Sequence, residues 1–273
     1  MGGRGHHGPP AAAAWRVLNP AAGRRRLTVV IEPSPSLRKL LRALQQRRAD
    51  DVPWAPPAKP LAQCRVALVA SSVCVVRGDP RDYDGVEIGV PLLREFDGHL
   101  DTGELLRSCR GRPGDGAANL ERNVALALDG LRAAAGDGRI GELGSRHLAL
   151  HGPTAATPAE LRKVAPEVAR RLVDDRVDVA LLVPSCPLCS QSMGLAALAI
   201  ERTGIATVCL QLLHTAVADV RPPRSLWVPF WDGYALGAPD RTEHRSAVLE
   251  AAFAMLEDAG ATPPAIRDFG SPG

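Results

Sequence analysis

Val177, Asp178, Val179, Ala180, Leu181, Leu182, Val183, Pro184, Ser185, Cys186, Pro187, Leu188 and Cys189 form the stretch whose reading decides the fold. Val177 to Val183, apolar but for Asp178, reads as a buried strand. Pro184 breaks that run. From about Pro187 to Thr203 the spacing predicts a helix, closed by Gly204 where a left-handed residue is wanted. Ile205 to Leu212 reads as the next strand and Ser225 to Phe230 as another, while Asp240 and Glu243 open a last helix through Leu256. Upstream, Thr157 caps a helix carrying Leu161, Val164, Val168 and Leu172, with Pro158 at its first position and Glu160 closing a capping box. Val66 to Ala70 and Arg146 to His151 are further strands, and Leu120 to Ala135 a further helix. Strands alternating with helices predict an α/β fold, a mostly parallel sheet with helices on both faces in Rossmann-like layering. In such sheets ligands bind at the carboxyl ends of the strands.

Working outward, residues 1–25 are Gly, Ala, Pro and Arg without periodicity and read as a disordered N-terminal tail. Residues 26–60 form an arm and linker, with a short strand near 27–31 and an extended, proline-dense connection from Val52 to Pro60. Residues 61–262 make the α/β domain and 263–273 a C-terminal tail. Inside the domain, Gly78 to Gly116 reads as a long irregular segment, a type that often carries function.

The chain has 273 residues, nearly half of them apolar, and a formal net charge of +3 from almost balanced acids and bases. That balance favours small-molecule or protein partners over nucleic acid or an acidic membrane. No run of roughly eighteen apolar residues is present, and Met1 to Pro10 lacks the core of a secretory signal, so a soluble, cytoplasmic protein is expected. No phosphate loop, dinucleotide fingerprint or serine triad stands out, and no nucleotide cofactor or metal is expected.

Of six cysteines, Cys64, Cys74 and Cys209 lie in or beside apolar strands and read as core thiols. Cys186 and Cys189 differ, because they fall at the carboxyl end of a strand and the mouth of a helix. With Pro187 at the first helical position, Cys186 becomes the N-cap and the Cys189 amide points at its sulfur. Free amides and the helix dipole favour negative charge there, which lowers the thiol pKa and activates a nucleophile. Cys189, one turn on, is placed to resolve a mixed disulfide. A zinc site, a structural disulfide and an inert pair are the other readings of this spacing. His151 and His214 end predicted strands and are candidates for substrate binding or proton transfer, or for hydrogen-bonded scaffolding.

The segment from Val177 to Cys189, continuing through Gly194, Glu201, Gly204, Ile205, Ala206, Thr207 and Val208, resembles the glycine, sarcosine, betaine and D-proline reductase component B family. The likeness extends to Val52–Trp54, Ala58–Leu61 and Arg65–Val69, to Gly138–Gly141 with Leu143, Arg146 and His147, and to Pro222–Arg224 with Gly233, Gly237 and Pro239. It runs from about residue 30 to residue 258. The resemblance implies that Cys186 stands where family members carry selenocysteine, that Cys186 is the nucleophile, and that Cys189 is the resolving thiol. It further implies a substrate amine held on the pyruvoyl group of a partner subunit and an external dithiol that restores the thiols. Asp115 and Asn123 match positions in a family segment whose histidines are missing here, which points to a different substrate or an altered site.

Two functions follow as expectations. The first is a thiol-dependent oxidoreductase with a dithiol/disulfide couple: Cys186 attacks, Cys189 resolves, and Asp115, Asn123, His151 and His214 line the substrate. Its partners would be a small-molecule substrate, and a thiol reductant protein or second reductase subunit. The second is a noncatalytic sensor or binding protein whose cysteine pair responds to oxidants, electrophiles or soft metals.

Overall fold

The computed structural model describes residues 15–18, 30–33, 51–71, 92–102, 127–151, 158–185, 189–213, 220–230, 234–237 and 241–270. The chain forms two compact units, Met1–Gln45 and Gln46–Gly273. In the first, β1 (Trp15–Leu18) pairs antiparallel with β2 (Val30–Pro33). A strand thus stands within residues 1–25, where composition suggested a structureless tail. Four residues are too few for a period to register, although Trp15, Val17 and Leu18 suit a pleated surface.

The second unit is built on an eight-stranded sheet. Its strands are β3 (Arg65–Ala70), β4 (Leu92–Asp97), β5 (Glu142–Leu143), β6 (Arg146–His151), β7 (Val179–Val183), β8 (Ala206–Gln211), β9 (Arg224–Trp227) and β10 (Ala265–Asp268). They lie in the order β10-β9-β8-β7-β3-β6-β4, with β5 beside the start of β3. Every pairing is parallel except that of β4 with β6. Among the described residues the longer helices are α1 (residues 127–136), α2 (Pro158–Asp174), α3 (Cys189–Glu201) and α4 (Thr242–Glu257).

The continuous apolar runs are explained by two cores, one on each face of the sheet. Val66, Leu68, Val179, Leu181, Val208 and Leu210 pack with Leu128, Leu131, Leu249 and Phe253 of α1 and α4. Their neighbours Ala67, Val69, Ala180, Leu182 and Cys209 pack with Leu161, Val168, Leu172, Met193 and Ile200 of α2 and α3. Successive strand residues point to opposite faces, so a strand covered on both sides must be apolar at every position. Gly204, at φ +89°, ends the α3 turn as expected.

Two strands lie where the sequence suggested irregular chain. β4 falls inside Gly78–Gly116; it is an antiparallel edge strand whose Glu95 and Asp97 face water, so it lacks the all-apolar signature of its neighbours. β10 falls inside the expected C-terminal tail. It is half-exposed and is held by backbone bonds that continue past its ends, Ala265 N–H to Pro223 O at 2.9 Å and Phe269 N–H to Trp227 O at 2.8 Å.

Candidate active site

The two ends of the sheet bury polar groups in different ways. At the amino end, the Glu201 carboxylate at the close of α3 is shut away from solvent with Arg224, the first residue of β9. Glu201 accepts hydrogen bonds from Arg224 Nη1 at 2.7 Å, from the Thr207 amide and hydroxyl at 2.8 Å each, and from the Ala55 amide. Arg224 Nη2 donates to the Ala55 carbonyl at 3.0 Å, and its guanidinium lies 3.6 Å over the Trp54 ring. Burial pushes the Glu201 pKa up and the Arg224 pKa down, while each charge opposes the shift of the other. Asp178 anchors the same end, accepting from the Arg65 amide at 2.6 Å and from Lys59 Nζ at 2.9 Å. These bonds tie residues 54–59 to the sheet.

His147 is structural too. Between β5 and β6 the ladder along β3 is interrupted, and the Leu68 amide donates instead to His147 Nδ1 at 3.0 Å. The ring therefore has to be neutral with its proton on Nε2. Burial, assisted by the charge of Arg132, lowers its pKa to about 4.

At the carboxyl end, Ser71 follows β3 and Ser185 follows β7. The Ser71 amide continues the ladder to Val183 O at 3.0 Å. The Ser185 amide donates to Ser71 Oγ at 2.7 Å, and the two hydroxyls lie 2.8 Å apart. Ser185 Oγ also donates to the Ser71 carbonyl. Because that carbonyl only accepts, it takes the single Ser185 hydroxyl proton, and Ser71 Oγ–H donates to Ser185. Cys189, the first residue of α3, brings Sγ to 3.5 Å from Ser185 Oγ and is 1% exposed. Cys189 is disulfide-bonded, to a cysteine outside the described residues. Next to it, Ser190 Oγ accepts from the Leu212 amide at 3.3 Å, which joins α3 to the end of β8. Gln211, the last residue of β8, is fully buried with no hydrogen-bond partner for either end of its amide.

Of the residues singled out from sequence, Cys189 lies at this edge. His151 is the last residue of β6, at the same edge of the sheet. Cys186, Asp115, Asn123 and His214 lie outside the described residues, as do Cys74 and the N-cap geometry expected around Pro187. Cys64 and Cys209 are buried free thiols, each with its pKa raised by burial, as core cysteines should be. Sequence reasoning passed over Ser71, Ser185, Ser190 and Gln211. Their signal was present, since Gln211 is a lone amide within Val208–Leu213 and Ser71 directly follows an apolar strand. Among the described residues, no three His, Cys, Asp or Glu side chains gather as metal ligands.

A parallel α/β sheet with buried serines and a disulfide-bonded cysteine at its carboxyl edge defines a Rossmann-like protein with a sulfur-bearing edge. Residues 39–185 match the model of the glycine/sarcosine/betaine reductase selenoprotein B family, and the chain belongs to that family. The match ends one residue before Cys186. Among known proteins, the chain is 26% identical over 203 residues to the D-proline reductase subunit gamma of Acetoanaerobium sticklandii, covering 74% of this chain and 82% of that one. It is 30% identical over 213 residues to the glycine reductase complex component B subunit gamma of Symbiobacterium thermophilum, covering 76% of this chain and 49% of that one. The chain thus spans about half the length of the second relative. Both relatives are subunits of larger reductases. No solved structure matches the chain. No helix among the described residues is long and apolar enough to cross a membrane.

Proposed function

We propose that this chain is the thiol-bearing component of a reductase of the glycine and D-proline reductase type, with Cys186 as nucleophile and Cys189 as resolving thiol. The observation that carries the reading is Cys189: a buried, disulfide-bonded cysteine at the mouth of α3, three residues after Cys186 and against the Ser71–Ser185 pair. In this reading Cys186 is the other half of the disulfide. The chemistry balances as a two-electron reduction. The Cys186 thiolate attacks the carbon of the reducible carbon–nitrogen bond, forming a carbon–sulfur bond and expelling the amine. Cys189 then attacks the Cys186 sulfur, breaking that carbon–sulfur bond to form the disulfide while the released carbon takes a proton. Two thiols supply two electrons and two protons, so that one hydrogen ends on carbon and one on the departing amine. An external dithiol in the cytoplasm restores the pair. The pyruvoyl group expected of this family belongs to a partner subunit, and no step here passes through it. Asp115, Asn123, His151 and His214 are the proposed substrate-lining residues.

The test is the alkylation rate of the reduced protein against pH, with the modified cysteine located by peptide mass and Cys186→Ser as control. Preferential modification of Cys186, with an apparent pKa clearly below that of a free thiol, is expected. Slow, unshifted alkylation, or protection reversed by a chelator, defeats the nucleophile reading. Consumption of dithiol on every turnover with substrate separates an enzyme from a sensor, which reacts once.

A further inference from the structure

We propose that the Ser185 hydroxyl is a rotating donor that allows the buried Cys189 sulfur to ionise. Its proton rests on the Ser71 carbonyl while Cys189 is disulfide-bonded, and it turns onto the Cys189 thiolate in the reduced protein. The inference rests on the proposed role of Cys189 as resolving thiol, and it names the residue that fits it for that role. Ser185 is a positioning residue, acting through Cys189.

β3 and β7 are neighbours in the sheet. Their carboxyl ends are locked together by the Ser71 amide on Val183 O at 3.0 Å and the Ser185 amide on Ser71 Oγ at 2.7 Å. That lock places Ser185 Oγ against the Ser71 carbonyl, against Ser71 Oγ at 2.8 Å and against Cys189 Sγ at 3.5 Å. Both serines are 2% exposed and Cys189 1%, so the group is shut away from bulk water.

A single hydroxyl proton has to serve two acceptors. The Ser71 hydroxyl donates to Ser185 Oγ, so Ser185 donates either to the Ser71 carbonyl or to Cys189 Sγ, one at a time. A disulfide sulfur carries no charge and accepts weakly, which leaves the proton on the carbonyl, as in this structure. In the reduced protein a neutral Cys189 S–H donates to the remaining lone pair of Ser185 Oγ. A thiolate reverses the preference, because a charge-assisted hydrogen bond is about twice as strong as a neutral one. The proton then swings to the sulfur by rotation about the Cβ–Oγ bond, with no heavy atom displaced and the Ser71 hydroxyl still donating. Burial by itself disfavours a thiolate, and a donor to the charged form favours it. Ser185 thereby offsets the cost of ionising a sulfur that bulk water does not solvate.

The experiment titrates the ultraviolet thiolate absorbance of Cys189 in the reduced full chain. It is read as the difference between Cys186→Ser and Cys186→Ser/Cys189→Ser, each with and without Ser185→Ala or Ser185→Thr. Ser185→Ala is expected to raise the Cys189 pKa by at least about one, and Ser185→Thr, which keeps the hydroxyl, to restore it. The resolving step is then followed with Cys186 intact. Cys186 attacks dithionitrobenzoate, releasing one thionitrobenzoate and keeping the other as a mixed disulfide. The Cys189 thiolate, its proton passed to buffer, attacks the Cys186 sulfur and expels the second thionitrobenzoate as the disulfide forms. That second release, identified by its loss in Cys189→Ser, is expected to be about three- to tenfold slower at neutral pH in Ser185→Ala. Above the raised pKa it should match or exceed wild type, since the more basic thiolate is the better nucleophile. A purely structural role predicts slowing at every pH with no shift in pKa. That result, an unmoved or lowered Cys189 pKa in Ser185→Ala, or a raised one that persists in a folded Ser185→Thr, each overturns the proposal. A raised Cys189 pKa together with no first release at Cys186 would instead sink the thiol reading alone.

Discussion

At the two ends of one sheet polar side chains are buried on different terms: the Glu201 carboxylate of the amino end is satisfied from within the chain and the Gln211 amide of the carboxyl end is not, although Arg224 Nε and Ser225 Oγ at the amino end are also unpaired. At the amino end Glu201 accepts four hydrogen bonds and lies against Arg224, whose guanidinium in turn stacks on Trp54. At the carboxyl end the serines are paired with each other, but Gln211 is buried with nothing to bond. A polar group that finds its partners inside the chain serves the fold. One that is buried without them is a standing cost to the fold.

Four measurements sharpen or break this contrast. Arg224→Met leaves the Glu201 carboxylate buried without its counter-charge and should cost about 3–5 kcal/mol in urea unfolding. A loss under 1 kcal/mol would mean that the amino end is not the anchor described. The second concerns pH. The folded pKa of His147, about 4, lies below its ordinary value of 6.5, so the unfolded chain takes up a proton that the folded chain refuses. Its contribution is whole above pH 6.5 and is lost as pH falls toward 4, by up to about 3 kcal/mol. His147→Gln, whose carbonyl oxygen can still accept from Leu68, should flatten that part of the stability profile; an unchanged slope would locate the titration elsewhere. Third, Ser185→Ala at the carboxyl end should cost about 1 kcal/mol and slow disulfide formation at Cys189, read by thiol trapping against time. Unaltered trapping kinetics would leave the serine pair a purely structural role. The smallest effect is expected at the exposed rim, where Arg139 pairs with Glu250 and Glu257: Glu257→Ala should change stability by less than about 1 kcal/mol.

How much was legible in advance differs by element. The apolar runs at Val66–Ala70, Val179–Val183 and Ala206–Gln211 could be read because strands covered on both faces leave no polar positions to confuse the pattern. β4 and β10 escaped because edge strands face water on one side and are held mainly by backbone bonds, to which side-chain patterns are nearly blind. Residues 54–59 read as a linker because prolines exclude regular structure. Proline density says nothing about packing, and this segment is bound to Glu201, Arg224 and Asp178.

Sequence alone determined the alternation of strands and helices, and it supplied the carboxyl edge and the cysteine pair on which the proposed chemistry rests. These are local properties, set by periodicity, capping and spacing over a few residues. Only tertiary structure decided which polar residues are satisfied. Ser71 and Ser185 are 114 residues apart in the chain and Ala55 and Glu201 are 146 apart. Whether Gln211 has a partner depends on what α3 and β9 bring against it. Hydrogen-bond satisfaction is a property of contacts between distant segments, and no local pattern encodes it.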